Sequence, residues 1–306
     1  MDATLRAHLD QHIGVISARA AAGLGLTPND LHRLVKAGEL VRVARGAYLD
    51  AGILHEATPE QAHVARLTAV VLSRRGALAA SHASAALLHG LPVLRTELGQ
   101  MRVVHTTDPV NTRRHAAFTV HPCPGPEGLT TVGGVPSVVP SLAVVGTAMM
   151  TGVRSGLMAA DAALRRDMTT REELHDWLGR LAHHPRVERA RSVVTDADPS
   201  AESAGESLLR VLLIRLGYRV VPQFKVRDGR VVVARVDFYL PALKVVVEFD
   251  GLVKYEGMDG KQALAAEKQR ERRLHRLGYG VARIIWADLF DPRRVDSEVR
   301  AAARRR

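Results

Sequence analysis

The chain has 306 residues, long enough for more than one domain. Apolar residues make up 46% and charged residues 25%, a balance that excludes a largely disordered chain. The single cysteine, Cys123, excludes an intramolecular disulfide framework and any zinc site built on several cysteines. Lys and Arg outnumber Asp and Glu by 43 to 32, a formal net charge of +11. The excess is uneven: residues 200–306 hold 22 basic and 14 acidic side chains, against 21 and 18 in residues 1–199. Such a field attracts polyanions, nucleic acid first among them. No apolar run approaches the ~20 residues of a membrane-spanning helix. The opening MDATLRAHLDQH lacks the apolar core of a signal peptide. The expectation is a cytoplasmic protein with DNA, and no membrane, as partner.

Residues 1–58 are expected to form a winged helix-turn-helix. The first helix spaces Leu5, Leu9 and Ile13 at helical intervals. Ser17 caps a second, short helix that stops near Gly23 and Gly25. In Thr27-Pro28-Asn29-Asp30, Thr takes the N-cap, Pro the first helical position and an acid the third. Leu31, Leu34 and Val35 then face inward, and Gly38 ends the helix. Strands Leu40–Val43 and Ala47–Leu49 flank a turn at Ala44-Arg45-Gly46 and form the wing. The solvent face of the third helix carries Asn29, His32, Arg33 and Lys36. Asn and Arg can grip adenine and guanine edges in a major groove, while Arg42 and Arg45 on the wing would reach phosphates. The alternative is an ordinary solvated helix face.

Residues 59–199 read as a linking α/β region. Helices are expected over residues 60–74 and from Ser81 to Gly90. Alternating strands follow at Met101–His105 and Phe118–Val120, and residues 141–197 are mostly helical. His183-His184 reads as loop. The stretch Thr195-Asp196-Ala197-Asp198-Pro199 is a junction. Residues 200–306 follow the order α-β-β-β-α-β-α. A helix runs from Glu202 to Leu216 and a strand from Tyr218 to Val226. Asp228-Gly229 marks a two-residue hairpin. Strands Arg230–Leu240 and Leu243–Phe249 turn at Pro241-Ala242. A helix over about 261–277, a strand at Val281–Trp286 and a helix from Asp291-Pro292 complete the domain. The whole chain is thus an α/β (α+β) multidomain protein.

Residues 14–48 resemble the N-terminal domain of AbiEi-type antitoxins, through Gly14-Val15-Ile16-Ser17, the run from Leu26 to Leu40, and Arg45-Gly46-Ala47-Tyr48. The resemblance extends into Ser81-His82-Ala83-Ser84 and on to Pro92. It implies operator binding, transcriptional repression and a cognate toxin. Where the family often carries a Thr-x-x-x-Arg-Thr run, this chain has Val139-Pro140-Ser141-Leu142-Ala143-Val144-Val145.

The sharpest chemistry lies in Val236-Asp237-Phe238 and Val247-Glu248-Phe249-Asp250. Strand parity puts Arg235, Asp237 and Tyr239 on one face, and Glu248 and Asp250 on one face of the next strand. A turn centred at Pro241-Ala242 pairs position 237 with 247 and makes Asp237 and Glu248 near neighbours. Carboxylates set among Val and Phe raise each other's pKa unless a cation compensates. A divalent metal is one such cation, and oxygen-only donors select Mg²⁺ or Mn²⁺. Asp237, Glu248 and Asp250 would ligate it, Glu206 would complete the shell and Lys254 would assist at the phosphate, a set suited to phosphodiester hydrolysis. Lys268, Arg270 and Arg272 would contact phosphates. The alternative is that Asp237 and Glu248 are sheet acids paired with Arg235, Lys244 or the Arg-rich helix.

At Gly205-Glu206-Ser207, Arg235-Val236-Asp237-Phe238, Val247-Glu248-Phe249-Asp250-Gly251 and Glu267-Lys268-Gln269-Arg270-Glu271 the chain resembles the PD-(D/E)XK nuclease superfamily, and within it the very-short-patch-repair-like endonucleases. The resemblance implies a restriction-endonuclease-like αβββαβ core and metal-dependent DNA cleavage. It has departures. The lysine of Glu-x-Lys is Asp250 here, so Lys254 or Lys268 would supply the charge. The family's structural zinc site is missing, since the segment has no Cys and only His275. The reading is a DNA-binding protein with a Mg²⁺- or Mn²⁺-dependent endonuclease domain. Its alternative is an AbiEi-like repressor or antitoxin whose nuclease fold is inactive.

Overall fold

A computed structural model describes residues 2–109, 111–251 and 268–306. The chain divides into two compact units, Met1–Ala159 with Asp167–Thr195, and Ala160–Arg166 with Asp196–Arg306. Both mix helices with sheet. Among the described residues no helix is long and apolar enough to cross a membrane.

The first unit opens with α1 (Ala3–Gln11), β1 (Val15–Ser17), α2 (Ala18–Gly23), α3 (Pro28–Lys36), β2 (Leu40–Ala44) and β3 (Ala47–Asp50). The strands form an antiparallel sheet in the order β1-β3-β2. Leu5, Leu9, Ile16, Ala21, Leu31 and Leu40 make the buried core of this segment, with Leu34 and Val35 packed on it. The helix ends follow the local chemistry. Ser17 Oγ accepts from the Ala20 N–H at 3.1 Å. The Thr27 N–H donates to Asp30 Oδ2 at 2.8 Å, and the Asp30 N–H donates back to Thr27 Oγ1 at 3.2 Å, a complete capping box. Ile13 departs from the expected pattern. The helix stops at Gln11, Ile13 takes φ +56° and its side chain is 59% exposed. Gly14 must then lie against Ile53, where a Cβ would come within 2.1 Å, and β1 begins at once.

The first unit continues through α4 (Pro59–Leu72), β4 (Leu78–Ala80), α5 (His82–Leu88), β5 (Met101–His105), β6 (Arg113–Arg114), β7 (Phe118–His121), β8 (Leu129–Val132), β9 (Val135–Val138) and α6 (Pro140–Met150). Six strands form a mixed sheet in the order β6-β7-β5-β4-β9-β8. The β8–β9 hairpin turns at Gly133-Gly134, both with positive φ. Every residue of α6 from Ser141 to Met149 is buried, which explains its apolar sequence without a polar face. Helices α7 (Val153–Arg165), α8 (Arg171–Arg180) and α9 (Val187–Asp196) follow; capping boxes also open α4, on Thr58 and Gln61, and α8, on Thr170 and Glu173.

The second unit holds α10 (Ala204–Arg215), β10 (Val221–Asp228), β11 (Val231–Leu240), β12 (Val245–Asp250), a helix over residues 268–276 (α11), β13 (Gly280–Ile285) and α12 (Pro292–Arg304). Its sheet order is β10-β11-β12-β13, antiparallel except for the parallel β12–β13 pair. Residues 252–267, with Lys254 and the start of the expected 261–277 helix, lie outside the described residues. Two turns differ from expectation by a residue or two. Asp228 pairs with Val231, so the loop is Gly229-Arg230. Leu240 pairs with Val245, so residues 241–244 form the turn, and Lys244 absorbs it at φ +50°. Within this unit a buried ion pair, Arg210 Nη2 to Asp161 Oδ2 at 3.2 Å, ties α10 to the segment Ala160–Arg166. Asp161 also accepts the Asp198 N–H at 2.7 Å.

Thr27→Ala removes one partner of the α3 capping box. It is expected to lower the stability of the first unit by about 1 kcal/mol, read as a lower urea midpoint at unchanged slope.

Candidate functional site

Two sets of residues carry the chemistry, one in each unit. In the first, α3 turns Leu31 inward and leaves Asn29, His32, Arg33 and Lys36 exposed. Arg33 pairs with Asp30 yet its side chain remains 79% exposed. Arg42 and Arg45 are exposed as well. The β2–β3 turn is Arg45-Gly46, made possible by Gly46 at φ +74°. Arg74 Nη1 donates to the Arg45 carbonyl at 3.1 Å and steadies this turn. The sequence-predicted residues therefore all lie on solvent-facing positions of one helix and one hairpin.

In the second unit the outcome is mixed. Phe238 pairs with Val247, and extending that register by one residue sets Asp237 opposite Glu248, one residue beyond the rough partner, residue 247, expected from the sequence. The extra turn residues cause the shift. The Phe249 N–H donates to Asp237 Oδ2 at 2.7 Å. The Asp237 carboxyl is pushed up to about 6, chiefly by burial and further by the Glu206 and Glu248 charges, against the pull of the Phe249 N–H and Arg270. Two of the expected acids, Glu206 and Glu248, thus act on a third, Asp237. Asp250, beyond Glu248 on the same strand, is not among the charges acting on Asp237.

Glu206 sits in the first turn of α10, 7% exposed. It accepts from the Glu202 N–H at 2.9 Å and from Gln223 Nε2 at 3.1 Å. The α10 N-terminus adds a favourable field. Gly205 lets the Phe249 ring lie against α10, since a Cβ there would come within 2.0 Å of it. Gln223, with φ +48°, was not foreseen, because nothing in a strand sequence marks a partner for a carboxylate on a distant helix.

The cation beside these acids comes from α11. Arg270 Nη2 pairs with Glu248 Oε1 and donates to the Arg235 carbonyl at 3.0 Å. Arg235 itself pairs with Glu202 at 2.6 Å. Of the three basic residues expected at phosphates, Lys268 and Arg272 are exposed and Arg270 is turned to Glu248. Oxygen donors suit Mg²⁺ or Mn²⁺ in kind. As arranged, however, these residues do not fit a metal centre. Among the described residues no group of three or more His, Cys, Asp or Glu is placed to hold an ion, and Arg270 already compensates Glu248.

The comparisons with known proteins bear on the N-terminal part. Residues 4–49 match a family model described as "Transcriptional regulator, AbiEi antitoxin". Most of the chain is similar to two uncharacterised proteins of Mycobacterium tuberculosis, from strains CDC 1551 and H37Rv. Each is 28% identical over 266 residues, spanning 86% of this chain and 92% of the relative.

A carboxyl raised by its surroundings binds its proton more tightly folded than unfolded, so it costs stability as pH rises from about 4 through 6. Asp237→Asn keeps an acceptor for the Phe249 N–H and removes the charge. It is expected to stabilise the protein at pH 8 by on the order of 1 kcal/mol after solvent screening. The gain should vanish near pH 4, as read from denaturation midpoints across that range.

Proposed function

We propose that the protein is a DNA-binding transcriptional regulator of the AbiEi antitoxin type, which meets duplex DNA through α3 and the β2–β3 turn. The observation that carries this reading is the match of residues 4–49 to that regulator family. The element order α1-β1-α2-α3-β2-β3 supports taking residues 1–58 as a winged helix-turn-helix, with residues 59–199 as a linking region and 200–306 as a third domain. Asn29, His32, Arg33 and Lys36 read the groove, and Arg42 and Arg45 hold phosphates. The description of the family as an antitoxin supports a protein toxin as a second partner.

A second reading takes residues 200–306 as a restriction-endonuclease-like domain that cleaves DNA with Mg²⁺ or Mn²⁺. It draws on one observation, the Asp237 carboxyl raised chiefly by burial and further by the Glu206 and Glu248 charges. We place it second because Arg270 pairs with Glu248, one of the acids that a metal would need. In the regulator reading the same domain serves as a basic, non-cleaving platform.

The test of the first reading is fluorescence anisotropy on a duplex enriched from a random library. Arg33→Ala is expected to cost about 1–3 kcal/mol and to relax discrimination at one base pair. Arg45→Ala should weaken all duplexes alike and lower the salt slope by about 1. Unchanged binding in both variants rules out this interface. For the second reading, the protein is incubated with plasmid, linear duplex and single strand in Mn²⁺, with and without EDTA. The expected result is no cleavage. EDTA-sensitive cleavage that Glu248→Ala abolishes would make the enzyme reading the correct one.

A further inference from the structure

The linking region, outside the matched residues, gathers basic side chains without an acid. Arg102 lies on β5, and the neighbouring strand β7 ends at His121. Arg102 Nη1 stands 3.2 Å from His121 Nε2. A guanidinium can only donate, so His121 accepts here as a neutral ring. The His121 ring packs on His82, with centroids 4.4 Å apart. His82 opens α5, and its Nδ1 lies 2.8 Å from Ser81 Oγ. Its backbone is left-handed, φ +51°, a conformation that carries a cost for any residue but glycine. Its ring lies against α6, where a Cβ on Gly146 would come within 3.0 Å.

Three more groups bear on this core. Arg102 on β5 and Arg114 on β6 both pair with Thr119 of β7, which lies between them, and the Arg186 N–H donates to His184 Nδ1 at 3.2 Å. The charges of Arg114 and Arg186 bear on Arg102, and His184 bears on both imidazoles. Among the described residues, no carboxylate is one of the groups acting on His82, His121 or Arg102. Three acids of the region are engaged elsewhere: Glu97 accepts from Ser155, Asp108 faces Arg113 and Glu127 pairs with Arg180. Burial and these cations hold His82 well below the usual histidine range and His121 down to about 4. Uncompensated positive charge and a strained backbone at one spot are both costly, and both are of the kind that persists at ligand sites.

We propose that Arg102, Arg114, Arg186, His82, His121 and His184 form an oxyanion site that takes a phosphoryl group, carried by a nucleic-acid backbone or by a free phosphate ester. An anion relieves the repulsion among the arginines and offers their guanidinium groups a charged acceptor. The same arginines repel a divalent cation, which argues against the three histidines as a metal site. The site does not depend on α3, so Arg33→Ala is expected to leave it intact.

The test uses the full chain. Pyrophosphate is titrated in while the imidazole resonances are followed by NMR, and duplex affinity is measured against salt. Pyrophosphate is expected to shift the His82, His121 and His184 signals and to raise their pKa values. Arg114→Gln with Arg186→Gln, both at exposed positions, should weaken pyrophosphate at least tenfold. If the phosphoryl group belongs to a nucleic acid, the double variant also lowers the duplex salt slope by about 2. An unchanged slope with pyrophosphate binding retained in the parent assigns the site to a free phosphate ester. Loss of slope on its own supports the nucleic-acid source. No ring shift with pyrophosphate and no change of slope overturns the proposal, as does a response of the three rings to Zn²⁺ alone.

Discussion

Asp237 and Glu248, opposite each other on β11 and β12, cannot both be ionised in a half-buried position unless positive charge stands beside them. The second unit supplies that charge from its own chain. Arg270 of α11 pairs with Glu248 and, through the same guanidinium, caps the carbonyl of Arg235 on the neighbouring strand. One side chain thereby fixes α11 against the sheet, next to Leu274 in the apolar cluster with Val236 and Val246. Glu206 is handled differently: backbone and amide donors, and the start of α10, satisfy it. Asp237 receives a single N–H and keeps a raised carboxyl. The sheet therefore carries an acid cluster whose compensation is internal.

The first unit spends its polar chemistry otherwise. Its capping boxes fix where α3 and α8 begin, and a small apolar core orients α3 so that four polar or basic side chains face solvent. Gly46 and the Arg74–Arg45 contact set the basic turn beside them. These are fixed, solvent-facing donors, the requirement for reading a groove rather than only adhering to phosphate.

Much of this was legible in the sequence because it is local chemistry. Thr27-Pro28-Asn29-Asp30 states its own cap, and β11 alternates cleanly from Ala234 to Leu240. Asp237 and Glu248 were expected as neighbours and are. What escaped depends on distant or weak signals. Strands β1 and β4 have three residues each and β4 is Leu-Ala-Ala, too short to show a period. The β11–β12 turn was read as two residues because Pro241 is conspicuous, while Lys244 at positive φ leaves no mark in its identity. Lys244 and Arg235 were as plausible as the Arg-rich helix for pairing Glu248; only the rotation of α11 selects Arg270. His184, read as loop, joins Arg102 and His121 through tertiary structure alone.

Amide hydrogen exchange of the full chain, with and without an enriched duplex, tests the central claim most directly. The account predicts that DNA slows exchange across α3 and the β2–β3 turn, residues 28–46, well above any change in residues 204–250. Protection confined to the second unit, with residues 28–46 unaffected, would contradict it.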